Sequence, residues 1–408
     1  MKIIIWILVA VLGFFSGYFA LNYLTVHPLQ MSLYLVLTLL CVFGLTVLII
    51  SRFKKLQRFL AVVLALAFII AGYYVQAGVV LSREDSRPIP ELIRQKTDPG
   101  LGHTAVIYFT HGEPETYNPI GWLNQFREFD EQGIEFVPFF ARPLFIYELR
   151  NKYLEVGTSH HRQMHIQMSN QLEEMLHKNG YPDVKVYLSF LDDNPRPDAA
   201  VIQALNEGAS RIVVSEVFLT ISNHTAEGEH QIESVAVEDY GVPIRFTGPL
   251  WDSETLQQMF IEEANAAVGE GNRSKVGVML VGHGQPDEWD VEWPTETEQE
   301  NTFRQEILDK LVENGYSREN VDLAWMEFKE PKPAKKVEQL LANGVEKILF
   351  FSTGISADSI HSQWDIPALM YEAKYPENFS LVNLGAWNDH PLTMQAIMER
   401  VVAEINSF

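Results

Sequence analysis

Four histidines stand out by residue type and position. His283 lies in Val281-Gly282-His283-Gly284-Gln285-Pro286 directly after the apolar run 275–280, and His111 lies in Thr110-His111-Gly112-Glu113-Pro114 after the run 104–109. A second histidine follows a later apolar run in each half of the chain, His224 after 211–219 and His361 after 346–351. Neutral imidazole is the commonest protein ligand for first-row metals, and with an ordinary pKa near about 6.5 it also accepts a proton at neutral pH. Two histidines on loops at the carboxyl ends of parallel strands face one crevice, where ligands of open α/β sheets bind. A lone loop histidine is ordinarily a satisfied hydrogen-bonding side chain. Its recurrence as a pair in both halves favours metal or proton chemistry, with His283 and His361 the preferred pair and His111 and His224 the second. Glu327, at the end of the run 321–326, falls on the same rim. A carboxylate there helps to hold a cation, relays a proton, or is a helix-start or surface glutamate.

Other chemistries fail on pattern. Gly282 and Gly284 invite a phosphate-loop reading, but neither Gly-x-Gly-x-x-Gly nor Gly-x-x-x-x-Gly-Lys-Ser/Thr occurs. No Gly-x-Ser-x-Gly elbow is present for Ser-His-Asp hydrolysis. Cys41 is the one cysteine, which excludes disulfides and a cysteine-ligated cluster.

The elements that must position the histidines are short apolar runs alternating with amphipathic stretches. Strands are expected at 104–110, 184–190, 211–218, 275–281, 321–326, 347–351 and 379–384. Helices are expected between them at 162–178, 198–206, 254–267, 298–312 and 334–342, several closed by a glycine just past the end. Strands separated by helices in this order give right-handed βαβ units and parallel sheets. The order repeats, so an internal duplication is expected, with halves at 102–270 and 271–408. The first half is longer, and its extra residues fall around 117–157. Phe140, Phe145, Tyr147 and Tyr153 in that insertion suit core packing, the wall of a ligand cleft, or a membrane surface.

The chain is too long for one ordinary domain at 408 residues, and 47% of it is hydrophobic. Three apolar stretches, 3–26, 31–50 and 59–81, precede everything described so far, and no Asp or Glu occurs before residue 84. Each is long enough to span a hydrocarbon layer of roughly 30 Å, which needs about 20 apolar residues. The first lacks a small-x-small cleavage site and two further spans follow it, so it is read as a retained span. Residues 1–82 are thus a three-helix anchor and 83–101, with Pro88, Pro90 and Pro99, a linker. Arg52, Lys54, Lys55 and Arg58 crowd the loop between the second and third spans, which puts that loop in the cytoplasm and the soluble part on the extracytoplasmic, periplasmic side. Arg83 and Arg87 beyond the third span pull the other way. Six of the 31 Lys and Arg and none of the 53 Asp and Glu fall within the first 83 residues, so the remainder carries a net charge near −28. Such a field repels phosphate backbones and argues against nucleic acid as a partner.

The motifs resemble a known family. VGHGQPDE, VDLAWMEFKEPKPAKKVEQLLANGVEKILFF and ISADSIHSQWDIPALM in the second half are similar to the small class II tetrapyrrole chelatases of the CbiX and SirB type. Those proteins pair a His-Gly motif after the first strand with a histidine closely followed by Asp-Ile-Pro; here these are His283 and His361 with Asp365-Ile366-Pro367. The wider chain resembles ferrochelatase: LRNKYLEVGTSHHRQMHIQMSNQLEEML its early arginine-tyrosine-glycine-serine segment, SEVFLTISNHTAEGE its Tyr-Pro-Gln-Tyr-Ser turn, and AWNDHPLTMQAIMERV its closing Asn-x-x-Pro helix. Together these cover nearly all of 104–402. Ferrochelatase carries Asp-His-x-Glu where this chain has Asp358-Ser359-Ile360-His361, a glutamate-to-histidine exchange that favours the cobalt-chelatase style of site.

The resemblance implies two similar doubly wound α/β halves facing a cleft that holds and bends a macrocycle such as sirohydrochlorin or a porphyrin. It implies that the two histidines of a pair present Fe²⁺ or Co²⁺ and accept protons as the metal enters, without an organic cofactor. Relatives differ in which half holds the active pair, so both stay in view. Three membrane spans belong to neither group's common pattern. They keep alive a rival, a non-catalytic, membrane-tethered haem or metal binding protein on the same fold, and a second rival, a structural or signalling membrane protein with a degenerate chelatase domain.

Overall fold

The computed structural model describes residues 2–84, 88–131, 133–134 and 137–408; Arg87, weighed above for topology, lies outside them. The chain divides into two compact units, Met1–Ser86 with Thr116–Gly157, and Arg87–Glu115 with Thr158–Phe408.

The first unit begins with three helices, α1 (Lys2–Thr25), α2 (Pro28–Arg52) and α3 (Lys55–Leu81). All are long and apolar enough to cross a membrane, and they cover the three expected spans. A helix satisfies its own backbone groups, so apolar side chains such as Leu40, Phe43 and Phe59 can stay exposed to lipid. α1 and α3 meet through glycine: a Cβ on Gly17 would stand 1.9 Å from the Ile69 carbonyl oxygen, and one on Gly72 2.0 Å from that of Phe14. Close backbone approach at small residues is the usual glue between membrane helices. A buried hydrogen bond from Gln76 Nε2 to Asn22 Oδ1, 2.9 Å, adds to it.

The insertion belongs to this same unit. Of its helices α4 (Ile120–Glu131) and α5 (Arg142–Val156), α5 packs against α1. Arg150 Nη1 donates to the carbonyls of Tyr23 at 2.6 Å and Val26 at 3.1 Å, taking up carbonyls that the end of α1 leaves open. Tyr117 donates to the Thr25 carbonyl at 2.8 Å, and Tyr73 of α3 donates to the Phe140 carbonyl at 2.9 Å. Phe145 packs edge-on against Trp122 and Phe126, while Tyr153 is buried beside Tyr117. Tyr153 is a core residue of the insertion, and Phe145 is half-buried. Tyr147 lies against Tyr23 of α1, and the Phe140 side chain is largely exposed.

The second unit holds two sheets of identical topology. β1 (His103–Thr110), β2 (Val184–Phe190), β3 (Ala209–Glu216) and β4 (Ile244–Phe246) are parallel in the order β2-β1-β3-β4. α6 (His161–Lys178), α7 (Pro197–Asn206), α8 (Asn223–Glu233) and α9 (Glu254–Val268) accompany them. β5 (Val276–Gly282), β6 (Val321–Trp325), β7 (Lys347–Ser352) and β8 (Ser380–Asn383) repeat the pattern as β6-β5-β7-β8. With them run α10 (Asp287–Glu292), α11 (Pro294–Glu313), α12 (Pro333–Ala342), α13 (Ile366–Tyr371) and α14 (Pro391–Ser407). β4 escapes the sequence reading because it has three residues and is not fully buried, too short for a period to show.

β1 and β5 are central and, apart from His103, buried along their lengths, as apolar runs covered on both faces should be. One hydrophobic core joins the halves: Val106 and Tyr108 of β1, Leu280 of β5, Phe351 of β7 and Ile397 of α14 share it. Phe260 of α9 stacks edge-on with Phe303 of α11 at 5.7 Å and with Phe351 at 5.1 Å. Each such buried ring contributes about 1.5–3 kcal/mol by area alone, so the halves form one packed body with their histidine loops held together.

Candidate functional site

His283 sits on the turn that ends β5, and glycines let that turn close. Gly284 has φ +84°, and a Cβ there would stand 2.6 Å from the Glu327 carbonyl oxygen. A Cβ on Gly282 or Gly354 would fall 2.7 or 2.6 Å from Glu300 Oε1. That space is filled by Glu300, one of whose oxygens accepts the His283 N–H at 2.8 Å and the other the Gly284 N–H at 3.4 Å. Arg304, one helical turn on and fully buried, donates to the Ala324 carbonyl at 2.6 Å and lies 3.8 Å over the Trp325 ring. α11 therefore locks the histidine turn from behind.

The partner His361 opens a π-helical turn, His361–Asp365. Such turns are rare and recur at functional sites. The rings of His283 and His361 face each other edge-on at 5.4 Å between centroids. His283 Nδ1 donates to the Gly284 carbonyl at 2.7 Å, and His361 Nδ1 contacts Asp365 Oδ2 at 2.8 Å. With Nδ1–H committed to an oxygen on both rings, each Nε2 presents its lone pair, as metal-ligating histidines do. Among the described residues no hydrogen bond engages either Nε2.

His111 and His224 form the matching pair in the first half, 5.2 Å apart and also edge-on. His111 Nδ1 contacts the Gly112 carbonyl at 3.1 Å, yet its Nε2 lies 3.1 Å from Asp192 Oδ2. Both of its nitrogens are thus occupied, which distinguishes this pair from the other. His224 lies 5.8 Å from the Trp289 ring of the second half. The two histidine-bearing regions meet here, with further cross-contacts from Thr110 and His165 to Ser356.

Electrostatics separate the two rings of the second pair. Burial, then the neighbouring His361, pushes the basicity of His283 down, so it stays neutral. Burial also works against charge on His361, but Asp365, Glu327 and Glu113 outweigh it and raise its pKa. Opposite shifts in adjacent groups leave one ring less basic and the other more basic than free imidazole. Glu327 acts on both rings, and its N–H donates to the His283 carbonyl at 3.0 Å. Burial, then His111, holds His224 down to about 3. Among the described residues no three His, Cys, Asp or Glu side chains close into a ready-made metal cage.

The sequence reading leaves four supporting residues without a role: Glu113, Asp192, Glu300 and Asp365. Asp365 is visible in the Asp-Ile-Pro motif, and Glu113 in the His-Gly-Glu-Pro turn of the first half, where the second half has His-Gly-Gln-Pro. Glu300 carries no such signal, because a carboxylate in a helix of mixed polarity reads as solvent-facing.

The ferrochelatase family model matches residues 103–405. The chain belongs to the ferrochelatase family. By membership it is a tetrapyrrole metal chelatase in general class. No curated protein matches this family member significantly. Among solved structures it is similar to SirB from Bacillus subtilis with Fe³⁺, at 15% identity over 74% of this chain and 94% of that one, with a TM-score of 0.47. The sirohydrochlorin chelatase SirB from Bacillus subtilis subspecies spizizenii in complex with cobalt aligns at 12% identity over 74% and 94%, with a TM-score of 0.44. CbiX, the terminal enzyme for siroheme biosynthesis in denitrifying bacteria, aligns at 12% identity over 74% and 98%, with a TM-score of 0.42.

Proposed function

We propose that this ferrochelatase-family protein inserts a divalent metal, Fe²⁺ or Co²⁺, into a tetrapyrrole such as sirohydrochlorin or a porphyrin. The facing rings of His283 and His361, each with Nδ1 tied back and Nε2 open, carry the reading. Insertion exchanges the two pyrrole N–H protons of the ring for the metal. His283, neutral, is the metal ligand; His361, the more basic, ligates and then takes a proton, with Glu327 on the rim as the next acceptor. His111 and His224 form a second cation station that supplies the first, once His111 Nε2 gives up its contact with Asp192. Residues 1–82 anchor the protein, 83–101 link, and the halves 102–270 and 271–408 enclose the cleft. The basic loop with Arg52, Lys54, Lys55 and Arg58 supports an extracytoplasmic site.

Full-length protein in detergent, given Fe²⁺ without oxygen or Co²⁺ together with sirohydrochlorin or a porphyrin, should shift the ring absorbance to that of the metallated product. His283→Ala and His361→Ala should each lower kcat by about 100-fold or more. His111→Ala should act mainly on the KM for metal. No shift with any metal and ring, while a working chelatase runs alongside, overturns the reading; stoichiometric metal or haem binding without product would replace it with a tethered binding protein.

A further inference from the structure

Two further histidines, His161 and His165 of α6, are buried and belong to neither pair. His165 of α6 is fully partnered: its Nδ1 meets the Tyr108 hydroxyl at 2.9 Å, and its Nε2 meets the hydroxyls of Ser356 at 3.1 Å and Thr110 at 3.3 Å. That is a structural histidine, spanning both halves. His161, one turn earlier, stacks edge-on against it at 4.5 Å. His161 is 3% exposed, and its Nδ1 has no hydrogen-bond partner among the described residues. Buried polar groups are nearly always partnered, so an exception calls for an explanation, of which a ligand or ion is one.

Its location is fixed by a carboxylate from the first histidine turn. Glu113 Oε1 accepts the Ile360 N–H at 2.9 Å and the Ser159 hydroxyl. Ile360 immediately precedes His361, Ser159 lies two residues before His161, and Glu113 lies two after His111. A single oxygen thus gathers three histidine-bearing segments. Gln363 strengthens the seam: its Oε1 accepts the His160 N–H at 3.0 Å and its Nε2 donates to the Thr158 carbonyl at 3.2 Å. Ser159 Oγ in turn accepts the His161 N–H at 3.3 Å.

We infer that His161 is a further ligand for the divalent cation, on a segment that Glu113 ties to the turns of both His111 and His361, so that an ion entering at the first pair is handed to the second. This rests on the proposed metal-insertion reading and adds a third station to it. No resident cage is needed, because each station offers one or two nitrogens and the ion moves on to the ring.

The test uses Co²⁺ alone, titrated into full-length protein in detergent. It is read by the dissociation constant and by the imidazole N–H resonances that bound Co²⁺ shifts. His161→Phe keeps the ring packing on His165 without a nitrogen, and His161→Asn keeps a small polar group. Both should weaken Co²⁺ binding about tenfold and lose one shifted resonance, with an unchanged melting temperature. Should one variant misfold, the other decides. Weaker binding with every shifted resonance retained would be a packing effect and would overturn the inference. Wild-type binding in both variants, with binding lost in His361→Ala, would overturn it while leaving the insertion reading intact. Retained binding in His361→Ala as well would remove the insertion reading, and this inference with it.

Discussion

A carboxylate 2.8 Å from His361 Nδ1 does two things at once. It fixes the ring so that Nε2 points away from Asp365, and it stabilises the imidazolium form. Burial opposes the second effect, yet the net shift of His361 is upward. Ligation needs the neutral ring, so metal insertion should rise with pH through a pKa above the ordinary histidine value of 6.5. Asp365→Asn removes the charge and leaves burial to dominate. The acid limb of kcat/KM for metal should then move to lower pH, while metal affinity falls by about 10- to 100-fold as the ring loses its orienting partner. A pH–rate profile of the two proteins decides the point: an acid limb that stays in place means that His361 is not the titrating group.

At the scale of elements, helices and strand ends have placed several groups where their ionised forms are unwelcome. His165 in α6 and His224 in α8 are held down to about 3 by burial, and His161 lies well below 6.5 for the same cause. Glu216 at the end of β3 is pushed up to about 8 by burial and by Glu229, and Glu296 of α11 to about 8 by burial and by Glu300. A histidine with a lowered folded pKa contributes stability that is complete above 6.5 and is lost as pH falls below it, about 1.4 kcal/mol per pH unit. A carboxyl with a raised folded pKa contributes stability that is complete below 4.5 and is lost as pH rises toward 8. Between 4.5 and 6.5 the two carboxyls offset two of the three histidines, which leaves a gentler rise with pH. Denaturant midpoints measured across pH should therefore climb steeply below 4.5, gently up to 6.5, and fall above it, with Glu216→Gln flattening the alkaline limb. A steady decline from pH 8 to pH 5 would contradict it.

The same elements show what was legible in the sequence. Central strands carry unbroken apolar runs such as Val106–Phe109 because both faces are covered, and a histidine between glycines after such a run can only sit at the rim. β4 and the helices of the insertion lack that signal, since three residues set no period and α5 packs through Arg142 and Arg150 as much as through apolar groups. Glu300 was hidden for a related reason. Its inward face is made by glycines in two distant turns, Gly282 and Gly354, which no local pattern connects.

The whole molecule poses a question of side. α1, α2 and α3 run in alternating directions, so the loop around Lys54 and the soluble part after Leu81 must lie on opposite faces of any membrane the helices cross. Arg58 donates to the carbonyls of Ile50 at 2.7 Å and Phe53 at 2.8 Å, which caps the end of α2 while keeping its charge at that face. Together with Arg52, Lys54 and Lys55 it outweighs Arg83 beyond α3. Since short basic loops stay in the cytoplasm, the carboxyl terminus should lie outside. A carboxyl-terminal alkaline phosphatase, active only outside the cytoplasm, should then be active, and a carboxyl-terminal green fluorescent protein exported by the same route should be dark. Replacing Arg52, Lys54, Lys55 and Arg58 with Gln while keeping Arg83 should reverse both signals in a fraction of the molecules. The opposite pattern in the unaltered chain would move the metal site to the cytoplasm, and with it the pool from which the metal and the macrocycle must be drawn.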